Sequence, residues 1–150
     1  MGNKQDGPGK AAYDYVTHAS VRFPAAVPEL IEATKQGEQA GMATAPIQCQ
    51  LLAFLIKAIG GKRAIEVGVF TGITTLWMAD AVGEGGQIVA CDISEKFTSV
   101  GQPFWQQAGV ADRIDLRLGP ADQTLGQLAD AGETETFDFT YIDADKQAYD

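Results

Sequence analysis

Four short apolar runs, each followed by a helix-length or turn-rich stretch, constrain this chain more than any other feature. They are "RAIEVGVF" (63–70), "QIVACDIS" (87–94), "RIDLRLG" (113–119) and "FDFTYIDAD" (137–145). Each is short, apolar and closed by Gly or Asp, the pattern of a strand buried on both faces. Between them lie "GITTLWMADAVGEGG", "EKFTSVGQPFWQQAGV" and "ADQTLGQLADAG", which read as helices, with Gly101 and Pro103 marking a break or bend in the second. Strands alternating with helices predict an α/β fold with a Rossmann-like, doubly wound parallel sheet of order 3-2-1-4. Such sheets bind ligands beyond the carboxyl ends of their strands. Chemistry-bearing residues are therefore expected just after each run.

Three helices are expected before the first strand. "KAAYDYVTHAS" is one, and "PELIEATKQGE", closed by Gly37, is a second. The third, "PIQCQLLAFLIKAIGG", has Pro46 in its first turn and Gly60-Gly61 at its stop. Its helical spacing predicts a core face of Ile47, Leu51, Leu52, Leu55, Ile56 and Ile59.

The chain has 150 residues, room for one domain with a real core. The expected organisation is a loose tail over 1–10 and a single domain over 11–150. The net charge of −9 repels phosphate backbones, so nucleic acid is not an expected partner. No apolar run approaches the ~20 residues that span a bilayer, so no membrane partner is expected. The N-terminus "MGNKQDGPGK" lacks the apolar core of a signal peptide. Cys49 and Cys91 form no C-x-x-C motif and sit in apolar segments, which predicts buried reduced thiols in a cytoplasmic protein.

The strand ends carry the candidate site. After the first strand, "EVGVFTG" spaces Gly68 and Gly72 as G-x-x-x-G, not the G-x-G-x-x-G of dinucleotide sites. Glu66 beside this turn disfavours a pyrophosphate and favours a cationic ligand, such as the ammonium and sulfonium of S-adenosylmethionine. The alternative is a glycine-lined turn with a solvated Glu. After the second strand, Asp92 is placed to accept hydrogen bonds from two ribose hydroxyls, or to favour the next helix N-terminus. NAD and S-adenosylmethionine both carry a ribose, so Asp92 does not choose between them. After the third, Gly119, Ala121 and Asp122 line an adenine site, or Asp122 caps the following helix. After the fourth, "DADK" offers Asp143 and Asp145 to a hard cation and Lys146 as a base, or forms a solvated acidic turn. His18, Trp77 and Trp105 are expected to serve surface or packing roles.

Taken together, "GMATAPIQCQLL", "AIEVGVFTGITTL", "IVACDIS", "AGVADRIDLRLGPA" and "FDFTYIDADKQAY" resemble the cation-dependent class I S-adenosylmethionine O-methyltransferases of the caffeoyl-CoA and catechol type. The match covers about residues 11–150. The resemblance implies that Thr44, Glu66, Gly68, Phe70, Thr74, Asp92 and Ala121 contact S-adenosylmethionine. It implies that Asp143 is a metal ligand lying against the cofactor, and Lys146 the general base. The implied reaction is methyl transfer to a hydroxyl of a small catechol-like or hydroxycinnamoyl aromatic, assisted by a divalent cation, usually Mg²⁺.

Some positions depart from the family pattern. Ile73-Thr74 stands where Tyr-Ser is common, and Gln48-Cys49 where an acidic-or-Gln and Gly pair is common. Family members also run further, through an Asp-Asn pair that completes the metal site. The resemblance thus predicts a C-terminally incomplete domain, whose fourth strand is an open apolar edge. A second copy of the chain is expected to cover it, as a homodimer. The rival expectation is a non-catalytic module that binds the cofactor or a partner chain.

Overall fold

The computed structural model describes residues 9–144. The expected tail up to residue 8, and the candidates Asp145 and Lys146, lie outside the described residues. Among the described residues there are six α-helices and four strands: three α-helices come first, and strands then alternate with helices as anticipated. The helices are α1 (Lys10–Ser20), α2 (Val27–Gln36), α3 (Pro46–Ala58), α4 (Ile73–Val82), α5 (Glu95–Gln107) and α6 (Ala121–Asp130). The strands are β1 (Arg63–Val67), β2 (Gln87–Asp92), β3 (Ile114–Leu118) and β4 (Phe139–Ile142). All pairings are parallel and the order is β3-β2-β1-β4. The chain therefore reverses its winding between β1 and β4, the point where such sheets open a crevice.

Alternation along β1 divides the core. Ala64 faces a large cluster with Leu30 of α2, Ile56 of α3, Leu76 of α4 and Trp105 of α5. Ile65 and Val67 face a smaller one with Val89, Cys91 and Leu128 of α6. Helix α4 is buried almost all round, which its sequence foreshadows by carrying a single charge, Asp80. Both tryptophans are buried, as expected, and His18 is exposed. Both cysteines are buried and free, and burial pushes their thiols up, to about 12 for Cys49 and about 11 for Cys91. Among the described residues, no helix is long and apolar enough to cross a membrane.

Two expectations about helices are corrected. The buried face of α3 is Cys49, Leu52, Ala53 and Ile56. Leu51, Leu55 and Ile59 are exposed instead, and with Phe54 they form an apolar stripe along the helix. The helix carries apolar residues on two faces, so periodicity alone selects no unique core side. Of the break or bend expected in α5, the break is corrected: the helix runs unbroken through Gly101 and Pro103. A proline inside a helix costs roughly 3 kcal/mol in isolation. Packing holds the segment helical: Gly101 lies against the Thr71 carbonyl, and Trp105 Nε1 donates to the Gly72 carbonyl at 3.1 Å.

That contact generates a prediction opposite to helix propensity. Alanine exceeds glycine by about 1 kcal/mol in a helix interior. A Cβ at residue 101, however, falls 2.3 Å from the Thr71 carbonyl oxygen. Gly101→Ala is expected to destabilise the protein by about 2 kcal/mol in urea denaturation.

Candidate cofactor and active site

The site begins with a turn that only close backbone packing permits. Residues 68–72 leave β1 and enter α4, with φ of +96° at Gly68, +54° at Phe70 and +78° at Gly72. At Gly68 the chain itself approaches closely: a Cβ there meets the Asp143 carbonyl oxygen at 2.6 Å. Asp143 N donates to the Val67 carbonyl at 2.8 Å, so the β1 turn and the end of β4 are in backbone contact. At Gly72 a Cβ meets the Trp105 ring at 2.3 Å.

Asp92, at the end of β2, holds this turn. Its Oδ2 accepts from Val69 N and Phe70 N, both at 2.8 Å, and its Oδ1 accepts from Ser94 N at 2.8 Å. A carboxylate offers about four acceptor positions, so these three bonds leave room for a further donor such as a ribose hydroxyl. The N-terminal cap of α5 is Ser94 and not Asp92: the Ser94 Oγ accepts from Phe97 N. The Phe70 ring packs on Phe97, with centroids 4.9 Å apart.

Glu66 is the most unusual residue of the site. It lies mid-sheet, opposite Ala90 and Tyr141, and is fully buried. Thr75 Oγ1 donates to its Oε2 at 2.5 Å, while Oε1 is buried without a partner among the described residues. Burial pushes its carboxyl up to about 8; the Thr75 hydrogen bond opposes this, and the charges of Asp92 and Asp143 add to it. A buried carboxylate oxygen with no donor is a costly arrangement unless a cation or donor occupies it. The alternative of a solvated Glu is excluded, and the residues fit the ammonium-bearing end of S-adenosylmethionine.

Around Glu66 the structure gathers several expected residues and some unexpected ones. Thr74 Oγ1 lies 3.6 Å from Cys49 Sγ. Thr44 Oγ1 donates to Asp143 Oδ2 at 3.4 Å, and Tyr141 Oη donates to the same oxygen at 2.9 Å. Gln48 Nε2 in turn donates to Tyr141 Oη at 3.0 Å. Burial is the main cause that pushes the Tyr141 phenol up to about 12. Thr75, Tyr141 and Gln48 were not anticipated. A signal for Thr75 was present: two adjacent threonines in an otherwise apolar helix call for a buried polar partner.

The remaining candidates stand apart from this cluster. Ala121 opens α6 and packs against the smaller core face. Asp122 does not cap α6, because Pro120 occupies the cap position and Asp122 lies one residue inside the first turn. For a divalent cation the described residues supply Asp143 but no group of three or more His, Cys, Asp or Glu side chains. One carboxylate does not satisfy a hard cation that requires several convergent oxygens, so the described residues do not by themselves fit the metal.

The O-methyltransferase family matches residues 17–150. A probable caffeoyl-CoA O-methyltransferase 2 from Dictyostelium discoideum is 45% identical over 123 residues, covering 81% of this chain and 53% of that protein. A caffeoyl-CoA O-methyltransferase from Eucalyptus gunnii is 40% identical, covering 99% of this chain and 61% of that protein. The chain thus spans less than two thirds of the length of these relatives. Among solved structures, an O-methyltransferase from Bacillus cereus in complex with SAH superposes with a TM-score of 0.82 at 28% identity, covering 91% of this chain and 62% of that one. The O-methyltransferase TomG from Streptomyces achromogenes, in complex with SAM, gives 0.83 at 26% identity, covering 91% and 60%.

The raised Glu66 carboxyl has a consequence for stability. Below its ordinary value of 4.5, Glu66 is protonated in both states; between there and about 8, the folded protein keeps a proton that the unfolded chain has released. The unfolded state then binds fewer protons, so stability falls as pH rises through this window and levels off above it. Thermal unfolding of ligand-free protein is expected to show this decline, and Glu66→Gln to flatten it.

Proposed function

The chain belongs to the O-methyltransferase family, and on that premise we propose that it binds S-adenosylmethionine in the crevice between the β1 turn and the end of β4. We further propose that it serves methyl transfer to a hydroxyl of a small catechol-like or hydroxycinnamoyl aromatic. The observation that carries the cofactor reading is the unpartnered, fully buried oxygen of Glu66. The names of the caffeoyl-CoA relatives support the substrate class.

When bound, S-adenosylmethionine supplies a methyl group on a sulfonium. The chain's own residues bind and orient. Glu66 accepts the ammonium, and its charge is stabilised by that partner in place of water. Asp92 accepts from the ribose while it fixes the turn. Phe70 and Thr74 flank the methionine end, Ala121 meets the adenine, and Thr44 steadies Asp143 on the acceptor side. Lys146 is the proposed base for the substrate hydroxyl. Positioning of this kind accounts for several kcal/mol of a typical barrier reduction. Among the described residues, Asp143 is the one the family resemblance assigns to a divalent cation, and it has no group of carboxylates around it.

A second reading is a module that binds the cofactor without turnover. It is favoured by the lack, among the described residues, of a group of three or more His, Cys, Asp or Glu side chains that could hold a metal. Calorimetry is expected to show 1:1 binding of S-adenosylhomocysteine, and the absence of heat with folded protein overturns the cofactor reading. Transfer of labelled methyl to a catechol, with and without Mg²⁺, then separates enzyme from module.

The cytoplasmic setting stays a proposal, supported by two buried free thiols. So does the homodimer. The exposed stripe of Leu51, Phe54, Leu55 and Ile59 and the edge position of β4 support a second copy there. Light scattering is expected to give twice the chain mass, and Phe54→Glu to return it to the monomer.

A further inference from the structure

The β1 turn is also held from outside the alternating strands and helices. Thr71, within the turn, is 4% exposed, and Thr34, in the last turn of α2, is 2% exposed. Their hydroxyl oxygens lie 2.8 Å apart. Thr34 Oγ1 also donates to the Leu30 carbonyl at 2.8 Å. A hydroxyl carries one proton. Thr34 Oγ1 is the donor in both contacts, so Thr71 Oγ1 and the Leu30 carbonyl share its single proton.

The position makes this pairing informative. Val27, Leu30 and Thr34 form the buried face of α2, so the helix places a hydroxyl where its periodicity calls for an apolar residue. Beside the pair, a cleft of about 320 Å³ lies between α2 and α5, lined by Thr34, Thr71, Lys96 and Phe97 among others. Also beside the cleft is the exposed pair of Lys96 and Glu38 at 2.8 Å, and exposed pairs contribute little. The buried hydroxyl pair is therefore the polar connection that ties α2 to the turn.

We propose that Thr34 is a positioning residue for the cofactor turn: through Thr71 it makes the shape of residues 68–72 depend on α2 being seated. Its effect on ligand binding rests on the S-adenosylmethionine reading above. Thr34 acts through Thr71 and is not itself placed against the cofactor.

The test compares Thr34→Val, which keeps the shape and removes the hydroxyl, with Thr34→Ser, which keeps the hydroxyl. Two quantities are measured on folded protein: the Kd for S-adenosylhomocysteine, and amide hydrogen exchange in the turn and the sheet. T34V is expected to weaken binding about tenfold and to speed exchange at Gly72 about tenfold, the effect of one lost buried hydrogen bond. Exchange in β1 and β2 should not change, and T34S should stay within about twofold of the parent in both readouts. Parental behaviour in T34V overturns the proposal. So does a T34S variant that fails as T34V does, because packing of the methyl group is then responsible. If the parent ignores S-adenosylhomocysteine while T34V still exchanges faster in the turn, the cofactor reading falls and the coupling stands. Should T34V not fold, the parent decides: Leu30 N, bonded to Ala26, and Gly72 N, bonded to Val69, must open with one common free energy, and separate openings overturn the coupling.

Discussion

The β1 turn is the constraint on which the rest of the structure depends. Its backbone touches Asp143 at Gly68 and Trp105 at Gly72, and its Thr71 carbonyl abuts Gly101. Each contact is too close for a Cβ, so three glycines on two different elements answer one packing problem. The Asp92 carboxylate then fixes the intervening amides of Val69 and Phe70. Because β1, β2, β4 and α5 all converge on five residues, the crevice has a fixed floor before any ligand arrives. Such preorganisation lowers the ordering cost of binding.

Much of this was legible in the sequence, and the reasons are local. The strands announced themselves because each is short, apolar and bounded by turn residues. The order followed from a parallel sheet wound in two directions, and the strand-end rule placed Glu66, Gly68, Asp92 and Asp143 in one region. What sequence did not give is partner identity. Gly68 reads identically whether a ligand or the chain's own Asp143 carbonyl approaches it. Asp92 reads as a ribose clamp, yet in the ligand-free chain it serves the turn. The hydroxyls of Thr34 and Thr71 lie 37 residues apart in sequence, and no periodicity links them.

The errors have a similar origin. Helix α3 has enough leucine, isoleucine and phenylalanine for two apolar faces, and the sheet selects the one with the small Cys49 and Ala53 because it can approach α4 closely. The rejected face is left outward. Helix α5 tolerates Pro103 because Trp105 and Gly101 are anchored on the turn. In both, tertiary packing overrides a local preference of a few kcal/mol, as short-range signals cannot anticipate.

Charge narrows the ligand further than shape does. Glu66, Asp92 and Asp143 come from three different strands, and the latter two help raise the carboxyl of the first. The carboxylates of Asp92 and Asp143 beside one crevice oppose a pyrophosphate, whose charge has the same sign. A ligand that combines ribose hydroxyls with ammonium and sulfonium cations meets the same field with the opposite sign. On the proposed reading it relieves the repulsion and gives the orphaned Glu66 oxygen a donor. Burial is the main cause that raises the Glu66 carboxyl and the charges of Asp92 and Asp143 add to it, so the proposed cationic nucleoside opposes both with one positive charge.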